Sequence, residues 1–315
     1  MFFVLSGFLI GGILIKTINR TDFTHKELVG FWIRRWFRTL PMYYLVLSFL
    51  VLNNHFIIPR PLPHGLSDYF FFLQNLTHPC SFEFFGVSWS LCVEEWFYLL
   101  VPLFLFIILR FAKQISKKRK ILFCIIFVIV FITVCRTYKI YTLHFDLAAY
   151  RKLEAQVIAR LDSIMYGVLG AYLFYYKVPI WRKYNNAYFI IGVLIILSTN
   201  YFDFPAVLLY TLRPIGTLFI LPKLSSIEKT TWKGGKVITF ISLISYSMYL
   251  LHVIVVLEII MPLIFMALHI TEETSYTIII IKTAMYWSLT ILLSYVLYMF
   301  YEKPMTNLRD KIVKR

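Results

Sequence analysis

The sequence predicts an all-α protein: a polytopic transmembrane helical bundle forming a single integral membrane domain over residues 1–315. Three observations predict it. First, 60% of the 315 residues are hydrophobic, only 15% are charged and the mean hydropathy is +0.74, whereas soluble domains carry about 25% charged residues. Second, the apolar residues form continuous blocks rather than alternating with polar ones. A bilayer-spanning helix needs about 20 such residues, and only helices or closed barrels satisfy their backbone groups in lipid. Third, the basic residues behind the net charge of +16 sit in short loops between the blocks. This is where membrane topology places them, so the charge does not imply a nucleic-acid partner.

Nine spans follow in order, at 1–15, 42–58, 89–109, 121–137, 158–176, 187–200, 205–222, 237–260 and 277–300. The first is followed by the basic cluster Lys16 to Arg38, and the second is preceded by Pro41, read as the start of that span, a favoured place for proline. The third opens at Trp89, the fourth follows the cluster Arg110 to Lys120, and the fifth opens at Arg160. The block at 187–200 is short for a full crossing. The eighth carries His252 about midway along, and the ninth carries Lys282. No internal repeat or low-complexity linker interrupts the chain.

Of the 32 basic residues, 24 fall in the segments 16–38, 110–120, 177–183, 223–236 and 303–315, which share one side of the membrane if the spans alternate. That side is assigned to the cytoplasm, with the C-terminus inside and Met1 outside. Arg60, Arg136, Lys139, Arg151, Lys152 and Arg160 take the opposite side. The first segment has neither a basic leader nor a small-residue cleavage site. Two expectations are open: a preceding span, or a first segment that inserts alone with its amino end outside.

Four groups of residues bear on chemistry. Arg35 and Arg38 are helix neighbours at i and i+3, suited either to clamping an anionic phosphate or to anchoring the helix at the cytoplasmic surface. Glu94 and Glu95 enter an otherwise apolar span, where a carboxylate is costly and marks a functional candidate. Ser90 and Glu94 share a helix face, while Glu95 points about 100° away, toward the interface. Arg160 and Asp162 bracket the start of a span and suit a substrate contact or an ion pair with another helix, while Gly167 and Gly170 read as close-packing positions. Ser245, Tyr249 and His252 form a polar stripe, in which His252 is a structural residue or a proton relay, and Glu258 adds a further carboxylate. Cys80 and Cys92 suit an external disulfide, Cys124 and Cys135 read as small hydrophobes, and the Asn75-Leu76-Thr77 triplet fits a glycosylation sequon. No set of residues has metal-ligand spacing.

Phe2-Phe3-Val4-Leu5-Ser6-Gly7-Phe8-Leu9-Ile10, Arg35-x-x-Arg38-x-x-Pro41 and Trp89-Ser90-Leu91-x-x-Glu94-x-x-Phe97-Tyr98 resemble three segments of the acyltransferase 3 family. Arg160-Leu161-Asp162 with Gly167, Ser245-Tyr246-x-x-Tyr249-Leu250-x-His252, and Glu302-Lys303-Pro304 resemble three weaker segments in the same order. The resemblance covers essentially the whole chain. It implies a ten-helix core in the cell (inner) membrane and transfer of an acyl group, chiefly acetyl, from acyl-CoA to a hydroxyl of a carbohydrate or cell-envelope acceptor. Acyl-CoA is then a donor substrate, with no permanently bound cofactor. Arg35 and Arg38 are implied to hold CoA phosphates, Glu94 and His252 to be catalytic, and Trp89, Ser90, Arg160, Asp162 and Tyr249 to meet substrate. The family's first helix carries an arginine and a histidine, the latter read as the base, that nothing here matches. The chain therefore reads as truncated at its amino end, and little activity is expected of it alone. The rival readings are an inactive fragment of such an enzyme and a membrane transporter, although the inverted repeats that transporters show are not visible.

Overall fold

The computed structural model describes residues 1–77, 82–112, 114–142, 153–176, 179–227, 234–268 and 276–313. Every regular element among them is helical. The helices are α1 (Phe2–Arg20), α2 (His25–Leu52), α3 (Leu66–Phe70), α4 (Phe82–Phe85), α5 (Ser88–Phe111), α6 (Lys117–Thr142) and α7 (Leu161–Tyr175). Then come α8 (Pro179–Lys183), α9 (Asn185–Tyr201), α10 (Ala206–Ser225), α11 (Gly235–Leu251), α12 (Met261–Ala267), α13 (Tyr276–Leu297) and α14 (Lys303–Val313). π-Helical turns run from Asn53 to Ile57, from His252 to Ile260 and from Tyr298 to Glu302. The last two join α11 to α12 and α13 to α14 into continuous rods. Helices occupy all nine predicted blocks, and seven of them are long and apolar enough to cross a bilayer. The other two, α7 and α9, have 15 and 17 residues.

The chain divides into two compact units. The first comprises described residues within 1–31, 72–80 and 89–230. Its core pairs α1 with α7 and α9 with α10, and α6 and α10 also pack on α7. Glycine permits these pairings. A methyl group added at Gly7 would overlap the carbonyl oxygen of Ile164, and one added at Gly167 would overlap that of Val4. Between α9 and α10, a methyl at Gly192 would lie 2.5 Å from the Gly216 oxygen. Helices in lipid gain little from hydrophobic burial against each other, so close backbone approach and van der Waals contact hold such pairs. Val4, Tyr166, Trp181, Leu218 and Leu221 fill the space around them. The opposite faces are apolar yet exposed, as Leu5, Leu9 and Ile13 on α1 and the ring ladder Phe123, Phe127 and Phe131 on α6 show. An exposed apolar stripe of this kind suits lipid contact.

Polar side chains tie the ends of the first unit's helices together. At one end Lys117 Nζ donates to the carbonyls of Ile18 (2.9 Å) and Thr21 (3.0 Å), capping the C-terminus of α1. The connections after α1 and α5 therefore lie together. At the other end Asn75 holds neighbouring segments. Its Nδ2 donates to the carbonyls of Trp89 and Ala155, and its own carbonyl accepts from Val157 N. Asn75 is fully buried, so the apparent sequon is a structural clamp. Arg136, assigned from sequence to an external loop, is instead wholly buried within α6. Cys92 and Cys124 are buried, whereas Cys80 lies outside the described residues, as do His78, Arg151 and Lys152.

The second unit comprises described residues within 32–71, 81–88 and 231–315. Here the reading of Pro41 as a helix start is corrected, because α2 runs through it as one 28-residue helix. Proline cannot donate to the carbonyl four residues earlier, but side chains supply other bonds around it. Tyr301 Oη donates to the Pro41 carbonyl (3.3 Å), Tyr246 Oη to that of Thr39 (2.7 Å) and Thr39 Oγ1 to that of Arg35 (3.2 Å). The two tyrosine bonds fasten the C-terminal rods to α2. Tyr43 and Tyr44 extend the same pattern by donating to the carbonyls of Tyr69 and Phe70, each at 2.7 Å.

Candidate functional site

The predicted site residues fall into two groups, one in each unit. In the first unit, α5 carries Trp89, Ser90 and Glu94. The start of α5 is enclosed, which corrects the expectation that Glu95 turns to the interface: Glu94 is 5% exposed and Glu95 6%. Both carboxylates are buried although they leave α5 on different faces. Trp89 packs edge-on against Phe3 at 5.7 Å, and Ser6 Oγ lies 3.0 Å from Tyr98 Oη, one turn beyond Glu94.

Of the two roles the sequence leaves open for Asp162, the structure forms the ion pair. Arg136 Nη1 donates to Asp162 Oδ2 at 2.7 Å, and both side chains are 0% exposed. The same guanidinium donates to the Ala159 carbonyl (3.0 Å) and Thr211 Oγ1 (3.3 Å), and stands 5.1 Å from the centre of the Tyr210 ring. Arg160 behaves differently. It stacks between Phe3 (5.5 Å) and Tyr210 (5.3 Å) and meets Glu154 at 3.7 Å. Tyr210 therefore sits between two guanidinium groups. Sequence reasoning missed Arg136 because it ends an apolar block, where a basic residue ordinarily marks a loop.

In the second unit, Arg35 is half-buried and Arg38 exposed on α2. Arg38 lies near enough to Glu302 for its charge to act on that carboxylate. Glu302 is buried and accepts a hydrogen bond from Ser247 Oγ at 2.7 Å. It joins the group through the tertiary fold, since the sequence offers it only as part of a weak family segment. Tyr249 Oη donates to the Val87 carbonyl at 2.8 Å.

His252 begins the π-turn and its Nδ1 lies 3.1 Å from the Met248 carbonyl and 2.8 Å from that of Tyr249. Carbonyls only accept, so Nδ1 carries the ring hydrogen in the neutral imidazole and Nε2 carries the lone pair. The ring is half-buried. A histidine in this tautomer can accept a proton at Nε2 while Nδ1–H holds its orientation. π-Turns are also frequent at functional sites. Among the described residues, no three His, Cys, Asp or Glu side chains converge as a metal-ligand set.

The fold defines an all-helical, multi-pass membrane protein with carboxylates buried among its helices. The chain belongs to the acyltransferase 3 family, whose model, described as an acyltransferase domain, matches residues 1–300. It is 35% identical to the peptidoglycan O-acetyltransferase OatA of Listeria monocytogenes, in a match covering 38% of this chain and 21% of that protein. It is 28% identical to a Staphylococcus aureus (strain COL) protein named "Putative O-acetyltransferase SACOL0978", over 81% of this chain and 45% of that one. The chain thus spans less than half the length of these two curated relatives. An uncharacterized protein of Haemophilus influenzae is 26% identical over 63% of this chain and 84% of its own length. No solved structure gives a significant match.

Proposed function

We propose that this protein is a membrane O-acyltransferase that transfers an acetyl group from acetyl-CoA to a hydroxyl of a carbohydrate in the cell envelope. The observation that carries the reading is the family match over residues 1–300. The names of the relatives support O-acetylation, and one of them names peptidoglycan as its acceptor. The basic connections favour an orientation in the cell membrane with the C-terminus cytoplasmic.

In this reading Arg35 and Arg38 hold the anionic phosphates of the donor, with Arg38 exposed to receive them. The acceptor hydroxyl gives its proton to an imidazole such as His252 Nε2, and its oxygen attacks the thioester carbonyl. The tetrahedral intermediate expels the CoA thiolate, which takes the proton back from the imidazolium. Glu94 supplies a second acid–base group within the membrane. Trp89, Ser90, Arg160 and Tyr249 meet substrate, and Asp162 acts indirectly by positioning α7 through Arg136.

The test is acetyl-CoA binding and acetyl transfer by the purified protein in lipid nanodiscs. Charge-assisted hydrogen bonds contribute about 1.5–3 kcal/mol each. Arg35→Gln and Arg38→Gln should therefore each weaken donor binding about tenfold or more. A folded double variant that binds acetyl-CoA as tightly as the wild type would remove the donor role from these arginines.

A further inference from the structure

Lys282 is a charge in a span that the reaction does not use. It stands six residues after the first residue of α13, about 9 Å along the helix axis. Among the described residues its ammonium meets no carboxylate within ion-pair distance. The contact that it makes is with the Phe265 ring, 5.0 Å away at the ring centre. A membrane-embedded cation is costly and normally pairs with an anion or reaches toward the interface.

The lysine lines a groove of about 660 Å³ between the α11–α12 rod and α13. The other walls are mainly apolar and include Leu257, Met261, Pro262, Phe265 and Trp287. Leu257, Met266 and Trp287 are exposed, so the groove opens on an apolar face suited to lipid contact. Thr283 adds a hydroxyl, but that group donates to the Ile279 carbonyl of its own helix at 2.8 Å. The site thus offers one cation at the mouth of an apolar trough, at the end of the rods nearest the connection between residues 268 and 276.

We infer that this groove binds an anionic phospholipid of the adjacent leaflet, with an acyl chain in the trough and the headgroup phosphate on Lys282. Charge complementarity selects the occupant, since a zwitterionic lipid brings a competing ammonium and a neutral lipid offers the Lys282 ammonium no anion. The volume lies within the roughly 300–1,000 Å³ typical of ligand sites.

The experiment uses the full chain purified from vesicles of phosphatidylcholine with a minor fraction of phosphatidylglycerol, and native mass spectrometry to count retained lipids. The wild type should retain phosphatidylglycerol above its bulk fraction. Lys282→Met should lower that enrichment about fivefold, as expected for one lysine near a membrane surface, with an unchanged melting temperature. Lys282→Arg should keep it. Retention at the bulk ratio, or full enrichment in a folded Lys282→Met variant, would overturn the inference. Displacement of phosphatidylglycerol by an undecaprenyl phosphate probe at equimolar amounts would overturn the phospholipid assignment in favour of a lipid-linked acceptor.

Discussion

Replacing Arg136 by methionine removes the guanidinium that Asp162 holds at 2.7 Å inside the first unit. At that separation and an effective dielectric of about 20, the Coulomb attraction is about 6 kcal/mol. Burying the two ions offsets much of it, and breaking one partner of such a pair costs about 3–5 kcal/mol. Arg136→Met and Asp162→Leu should each destabilise by that amount. The double variant should recover most of the loss, because neither charge is then buried without a partner. What remains is chiefly the Ala159 carbonyl without its donor, about 1–3 kcal/mol. Equilibrium unfolding in mixed detergent micelles, run as a double-mutant cycle, measures all four states. Single variants within 1 kcal/mol of wild type, or a double variant that loses the sum of the two, would refute the assignment of this pair as a coupled buried bridge.

Three further outcomes are expected. His252→Asn places an amide donor where Nδ1–H stood but removes Nε2, so it should keep the fold and lose about 10²–10⁴ in acetyl-transfer rate; full turnover in that variant would take the proton from His252. Gly167→Leu forces a side chain into the Val4 carbonyl and should abolish the monodisperse folded peak in fluorescence-detected gel filtration, whereas Gly12→Leu, which faces open space, should not. Ser247→Ala withdraws the 2.7 Å donor from buried Glu302 and should cost about 1–3 kcal/mol in unfolding free energy, with Ser247→Thr restoring it.

Much of the candidate site is legible one helix at a time. Ser90 and Glu94, and Arg35 and Arg38, are pairs at helical spacing on α5 and α2, whereas His252, three residues after Tyr249, lies in the π-turn that follows α11. Their surroundings are another matter. The burial of Glu95 depends on what packs against the second face of α5, and the tautomer of His252 depends on carbonyls at the α11–π junction. Neither is a property of spacing.

The sequence by itself determined that the chain is helical and membrane-spanning, because the length and apolarity of a segment suffice to set its free energy of transfer into lipid. It also marked Gly167 as a packing position, because a missing side chain in a span has a local meaning. Tertiary structure alone decided where the buried polar groups find their partners. Arg136 reads as a loop charge until Asp162, 26 residues on, is brought to it by α7. Pro41 reads as a helix start until Tyr301, 260 residues on, donates to its carbonyl. Asn75 reads as a surface sequon until the Trp89 and Ala155 carbonyls close over it. Hydropathy sums the cost of each polar group as though it faced lipid alone, whereas the fold offsets that cost with a hydrogen bond or a counter-charge from a distant part of the chain.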